Sequence, residues 1–238
     1  MMLGKKIEPL INWQSIDTVM LDMDGTLLDR HFDDYFWEEH VPEIYAKENN
    51  IDFWQAHEEL MRKYKSREGT LEWTDINYWS KELGLDIALM KLRLHHLIQV
   101  HPYVIDFLEY CRNLGKKIYL VTNAHSKTIS IKMQKTEIEN YFDKIVCSED
   151  VGVAKEEPLF WEKLHAFIEF DKKKSLLADD NEQVLASADT YGISNLIYVA
   201  KSSSTRPVVY SRTYPSIIFF KELLRETGGT ASENRGAG

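Results

Sequence analysis

The sequence predicts an α/β fold, a doubly wound parallel sheet of Rossmann type with an inserted all-helical cap, on three observations. After Pro102, short apolar strand-like runs alternate with amphipathic helix-length segments, the order that builds a parallel sheet covered on both faces. Between Arg30 and Val100 the alternation is replaced by apolar residues at three- and four-residue spacing, which is a helical pattern. Several strand-like runs end in polar or acidic residues, which gathers those groups at one sheet edge, where ligands of open α/β sheets bind.

The first strand is the apolar run entering Asp22-Met23-Asp24-Gly25. Helical periodicity follows over Phe53 to Tyr64, Trp73 to Leu83 and Ile87 to Ile98. The alternating part then reads as helix Val104 to Asn113, strand Ile118 to Val121, helix Ser126 to Lys135 and strand Ile145 to Cys147. It continues as helix Leu159 to Phe170, strand Leu176 to Ala178, helix Glu182 to Tyr191 and strand Leu196 to Val199. This divides the chain into a core of residues 1–29 and 101–226, a helical cap of residues 30–100 and a flexible tail of residues 227–238, rich in Gly, Ala and Ser.

Composition narrows the class of function. A chain of 238 residues that is 44% hydrophobic can bury a substantial core and still carry an insertion. No apolar stretch approaches the roughly 20 residues that span a membrane, and the start of the chain lacks the apolar run of a signal peptide, so a cytoplasmic protein is expected. A net charge of −9 argues against a nucleic-acid footprint, which needs a clustered basic face. Cys111 and Cys147 form no disulfide framework or zinc pattern and read as idle buried thiols. No obligate protein partner is evident.

The candidate chemistry sits at the strand ends. Asp22 and Asp24, two residues apart at the end of an apolar strand, project to one side, and Gly25 lets the backbone turn tightly beside them. Like charges that close need a cation, and Mg2+, a hard ion taking carboxylate, water and phosphate oxygens, suits them. Thr122-Asn123 ends the next strand and offers hydroxyl, amide and backbone N–H groups to an oxyanion. Lys155 precedes a helix that Pro158 can open, and its ammonium could neutralise both a carboxylate and a phosphate. Asp179-Asp180 closes a further apolar strand with a second acidic pair. Taken singly, each has a bland reading as a solvated loop acid, a turn or a surface lysine.

In this order the four segments resemble those of the haloacid-dehalogenase-like hydrolases: an aspartate pair as D-x-D-x-T, a Thr or Ser at a strand end, a Lys, and a terminal acidic pair. The resemblance implies that Asp22 is the nucleophile, Asp24 the general acid/base, Thr122 a phosphate ligand and Lys155 the stabilising cation. It implies a Mg2+ site of Asp22, Asp24, Asp179 and Asp180, without ordering the last two, and phosphate contacts from Gly25, Thr122, Asn123 and Lys155. The third motif departs from the common K-P, since Glu156 and Glu157 follow Lys155. Segments outside these motifs, among them Asp34-Tyr35-Phe36-Trp37, Val41-Pro42-Glu43, Tyr78-Trp79-Ser80-Lys81 and Thr122-Asn123-Ala124-His125, look like the bacterial GMP/IMP 5′-nucleotidases of this superfamily.

The resemblance therefore implies a Mg2+-dependent phosphomonoesterase acting through an aspartyl-phosphate, with a purine nucleoside monophosphate as its expected small-molecule substrate. Phe36, Trp37 and Tyr78 are the cap rings nominated to contact the base, because they lie in those segments, although most cap aromatics must simply pack the cap. His101 and His125 read as hinge or supporting groups. A sugar-phosphate phosphatase shares the four motifs and is the alternative. A dehalogenase needs neither Asp24 nor the second acidic pair, and a phosphomutase must retain the phosphoenzyme.

Overall fold

The computed structural model describes residues 6–224; the expected tail at 227–238 lies outside the described residues. Its centre is a six-stranded parallel sheet in the order β3-β2-β1-β4-β5-β6, formed by β1 (Thr18–Leu21), β2 (Lys117–Thr122), β3 (Lys144–Cys147), β4 (Ser175–Asp179), β5 (Asn195–Val199) and β6 (Ser216–Ile217). The first five match the runs read from the sequence. The two-residue β6 is too short to register as a hydrophobic pattern.

Strand β1 explains why the sheet needs helices on both sides. Its residues alternate between two cores: Val19 and Leu21 pack with Phe107, Leu108 and Phe220, while Met20 packs with Phe160, Trp161 and Leu185. A strand buried on both faces has no polar phase, which is why it reads as a continuous apolar run. From β1 the chain builds outward through β2 and β3, then returns to place β4 on β1's other side. This reversal opens a crevice at the carboxyl ends of β1 and β4, the switch point at which such sheets bind ligands.

The segment between β1 and β2 is a helical insertion. It contains α1 (His31–Tyr35), α2 (Val41–Asn49), α3 (Phe53–Lys65), α4 (Leu71–Thr74), α5 (Ile76–Leu83) and α6 (Ile87–Arg93). Its own core is built on Phe36, Val41, Leu60, Tyr64, Ile76, Trp79, Leu83, Ile87 and Met90. Between α1 and α2 the chain passes through a π-helical turn, Phe36–His40. Pro42 accounts for it: proline lacks the N–H for an ordinary helical bond to the preceding turn, and the wider register absorbs the interruption. Asp75 then caps α5 through the N–H groups of Asn77 and Tyr78, which breaks the single helix expected over 73–83 into α4 and α5. Both connections between insertion and sheet run side by side, joined by Asp29 N–H to Gln99 O and His101 N–H to Leu27 O, each 2.9 Å.

The remaining helices, α7 (Val104–Asn113), α8 (Ser126–Thr136), α9 (Ser148–Val151), α10 (Pro158–Leu164) and α11 (Glu182–Tyr191), cover the sheet. Helix α10 ends six residues before the Phe170 expected from periodicity. There His165 stacks on Phe170 at 4.1 Å, and Lys144 Nζ donates to Phe167 O, so tertiary contacts outweigh the helical pattern. Cys111 and Cys147 are buried, free thiols, as expected. Among the described residues no helix is long and apolar enough to cross a membrane.

Candidate active site

Asp22 follows β1 and Asp179 ends β4, two hydrogen-bonded neighbours, and Asp22 N–H donates to Ala178 O at 3.0 Å. The ladder therefore delivers both carboxylates to the same level of the crevice. Lys155 lies between them. Its Nζ donates to Asp22 Oδ1 at 2.6 Å, Asp179 Oδ2 at 2.7 Å and Val121 O at 3.0 Å, which uses all three ammonium donors. Lys155 is 1% exposed and Asp179 1%, so neither charge could persist there without the other. Burial acts to lower the Lys155 pKa, yet Asp179 and Asp22 hold it above its ordinary value. Burial also pushes the Asp179 carboxyl up, to about 7, against the pull of Lys155.

Asp180, the next residue, turns its carboxylate to Arg30, whose Nη1 is 3.0 Å from Oδ2. Burial raises its pKa well above the usual carboxylate value despite Arg30. Asp22, Asp179 and Asp180 each offer an oxygen, all within 4.8 Å of one another. Three carboxylates thus share Lys155 and Arg30. That deficit of positive charge and the all-oxygen donor set fit a hard divalent cation such as Mg2+. Gly25 is part of this geometry. With φ at +87°, it lets the backbone pass so close that a Cβ there would lie 2.2 Å from Asp180 Oδ2.

Asp24 is placed differently from the expectation. Its carboxylate does not join the three; Oδ1 instead accepts from Lys132 Nζ of α8 at 2.5 Å. The same Nζ reaches Asp33 Oδ2 of α1 at 2.5 Å, and Asp33 Oδ1 accepts from Lys91 Nζ of α6 at 2.7 Å. Burial raises the Asp24 carboxyl to about 6, with Lys132 opposing the rise. Asp33, which burial would raise, is held well below the usual range by Lys132 and Lys91. Of the four carboxylates grouped from the sequence as a metal set, Asp22, Asp179 and Asp180 come together, and Asp24 is engaged by a lysine.

Thr122, 2% exposed at the end of β2, accepts from Ala124 N–H at 3.1 Å through its hydroxyl oxygen. Asn123 is committed to the Lys155 loop: Oδ1 accepts from Lys155 N–H at 3.0 Å, and Nδ2 donates to Glu156 at 2.9 Å. Glu156 also accepts from Asn181 Nδ2 at 3.2 Å. The glutamate standing where K-P would have proline thus ties the loops after β2 and β4 together across Lys155. The amide of Asn123 is a brace in this arrangement, with both its oxygen and its nitrogen engaged by the Lys155 loop.

The cap rings need a correction. Phe36 is 0% exposed inside the insertion's core, edge-on to Trp37 at 4.9 Å and with Lys91 Nζ 4.6 Å from its centroid, so it has no face to offer a base. Trp37 is half-buried, packed against Tyr64 and Trp79. Tyr78 is partly exposed, and its hydroxyl accepts from Arg67 Nε at 3.0 Å. His125, after β2, meets Asn77 of α5 at 2.8 Å and so joins core to insertion.

Sequence reasoning missed Arg30, Asp33, Lys91, Lys132 and Glu156. Lys132 carried a signal: it lies on the helical phase of the buried Ile129 and Met133, where a lysine is out of place.

Residues 16–188 match the haloacid dehalogenase-like hydrolase family. The chain is 33% identical to the GMP/IMP nucleotidase YrfG of Escherichia coli K12 over 214 residues, 90% of this chain and 96% of that one. It is 24% identical to a phosphorylated carbohydrates phosphatase of Thermotoga maritima, covering 88% of this chain and 97% of that one. The fold is similar to that of a HAD phosphatase from Thermococcus onnurineus, with a TM-score of 0.72 and 23% identity over 87% of this chain and 96% of that one. With the family matched across most of the core and insertion, the chain belongs to the haloacid dehalogenase-like hydrolases.

Proposed function

We propose that this hydrolase is a Mg2+-dependent phosphomonoesterase working through an aspartyl-phosphate on Asp22, with purine nucleoside 5′-monophosphates such as IMP and GMP as substrates. The observation that carries the chemistry is Lys155 bridging Asp22 and Asp179 beside Asp180 at the sheet's switch point. A phosphate monoester repels nucleophiles, and catalysis of its transfer is mostly positioning plus electrostatic stabilisation. Asp22, Asp179 and Asp180 would hold the cation, which supplies positive charge for the phosphoryl oxygens when bound.

Lys155 fixes the Asp22 carboxylate and adds its own charge. Asp22 attacks phosphorus, forming the Asp22 O–P bond as the ester P–O bond breaks. Asp24 gives its proton to the departing ester oxygen, then takes one from the water that attacks the phosphorus of the aspartyl-phosphate, releasing phosphate and restoring Asp22. Thr122 and the backbone N–H groups beside Gly25 are the remaining candidates for the phosphate.

The substrate class rests on the nucleotidase named above, since 90% of this chain aligns with it. The Thermotoga maritima relative keeps sugar phosphates as the competing reading. Phosphate release over a panel of nucleoside monophosphates and sugar phosphates with Mg2+ separates them. The expected result is the highest kcat/KM with IMP or GMP and loss of turnover on chelation. A preference for sugar phosphates overturns the substrate assignment, and full activity after exhaustive chelation overturns the metal assignment.

A further inference from the structure

The buried chain Asp24–Lys132–Asp33–Lys91 is not needed to hold a cation or to fill either core, yet it places two lysines, 1% and 2% exposed, among carboxylates. Buried ammonium groups are costly to desolvate unless they are fully paired. Their elements are distributed in a particular way. Asp24 belongs to the turn after β1 and Lys132 to α8, both in the core, whereas Asp33 lies on α1 and Lys91 on α6 of the insertion. Helix α6 packs on α8, so the chain of charges crosses the contact between the two parts. Rings of the insertion line it, with Phe32 5.2 Å from Lys132 Nζ and 4.9 Å from Lys91 Nζ.

We propose that Lys132 is a positioning residue, shared between Asp24 and Asp33 so that seating the helical insertion and aiming the Asp24 carboxyl at the leaving oxygen are one event. This rests on the phosphomonoesterase reading, in which Asp24 transfers the proton. Lys132 touches neither Asp22 nor the other two carboxylates and acts on the reaction through Asp24 alone. Asp33 is the insertion's handle on that lysine, and Lys91 anchors Asp33 to α6. With the insertion displaced, Lys132 loses Asp33 and its grip on Asp24 is no longer fixed by a second carboxylate. Bond breaking would then be matched to enclosure of the substrate, which limits transfer while the site is open to water.

The test compares two leaving groups in Lys132→Met and Asp33→Asn. The ribose oxygen of IMP needs a proton to depart, whereas p-nitrophenolate leaves as the anion. The parameter is kcat/KM, which covers steps only through alcohol release and is blind to the later hydrolysis of the phosphoenzyme. In Lys132→Met it should fall by about 10²-fold or more on IMP, the scale of general acid catalysis, and far less on p-nitrophenyl phosphate. Asp33→Asn should show the same split, smaller, because Lys132 keeps Asp24. Equal losses on both substrates make the network merely structural and overturn the proposal. Should Lys132→Met not fold, Asp33→Asn decides alone by the presence or absence of the split. Failure of the underlying reading looks different: the unaltered enzyme would then release no phosphate from IMP, which is seen before any variant is compared.

Discussion

Gly25→Ala probes the site with the smallest possible change. The new Cβ would lie 2.2 Å from Asp180 Oδ2, 2.6 Å from its Cγ and 3.0 Å from Ser202 Cβ, where ordinary contact begins at 3.4 Å. The carboxylate must therefore retreat by about 1 Å, and Arg30 on the same oxygen must follow or release it. Holding alanine at a φ of +87° adds about 1–2 kcal/mol of backbone strain. A rigid site would add about 1–3 kcal/mol of overpacking, and a yielding one would lose the alignment of Asp180 instead. Misplacement on that scale costs on the order of 10²-fold in rate. Thermal melts with and without Mg2+, beside phosphate release, read both effects. The expected variant is folded, modestly less stable, nearly inactive and weakly stabilised by Mg2+. Wild-type activity together with a wild-type Mg2+ shift would refute the close approach of Gly25 to a cation ligand.

Lys155→Met strands buried carboxylates and should cost about 3–5 kcal/mol of stability, with Mg2+ restoring more of it than it adds to the wild type, read as the Tm difference between chelator and Mg2+. Phe36→Ala should lose about 3–5 kcal/mol of stability and lower kcat/KM on IMP and p-nitrophenyl phosphate together, whereas Tyr78→Ala should lose roughly 1–3 kcal/mol on IMP alone if that ring stacks the base. Burial lowers the His101 pKa below its unfolded value, against the bond to Ser202 O and the charge of Asp29. The unfolded chain then binds more protons, so this contribution to stability is complete above about pH 6.5 and declines as the pH falls toward the folded pKa. A His101→Gln variant should show a smaller drop in Tm between neutral and mildly acidic pH; an unchanged drop assigns it to other groups.

The parallel strands are legible because burial on both faces leaves an uninterrupted apolar run, and the acids that end β1 and β4 stand out against it. Helices α7 and α11 have the bounds their periodicity predicts, and α11 is marked at both ends as well, by Asn181 accepting from Gln183 N–H before it and Gly192 after it. Phe36 is misread from sequence for a different reason: a buried aromatic and a ligand-facing one have the same local sequence, and only the packing of Trp37 and Lys91 against it tells them apart. Lys132 and Asp33 are 99 positions apart in the chain, so their pairing leaves no local mark. Glu156 reads locally as a flaw in the third motif, because its partners Asn123 and Asn181 lie on two other loops.

Covalent phosphate on Asp22 is the most direct measure of the proposed chemistry. Enzyme turning over IMP in Mg2+ is quenched in acid, digested, and its peptides weighed and sequenced by mass spectrometry. The expected result is a phosphate on the peptide carrying Asp22, labile to hydroxylamine as an acyl-phosphate is, and absent from Asp22→Asn, which should also be inactive. Phosphate found on another residue, or turnover by Asp22→Asn at the wild-type rate, would contradict the assignment of Asp22 as nucleophile.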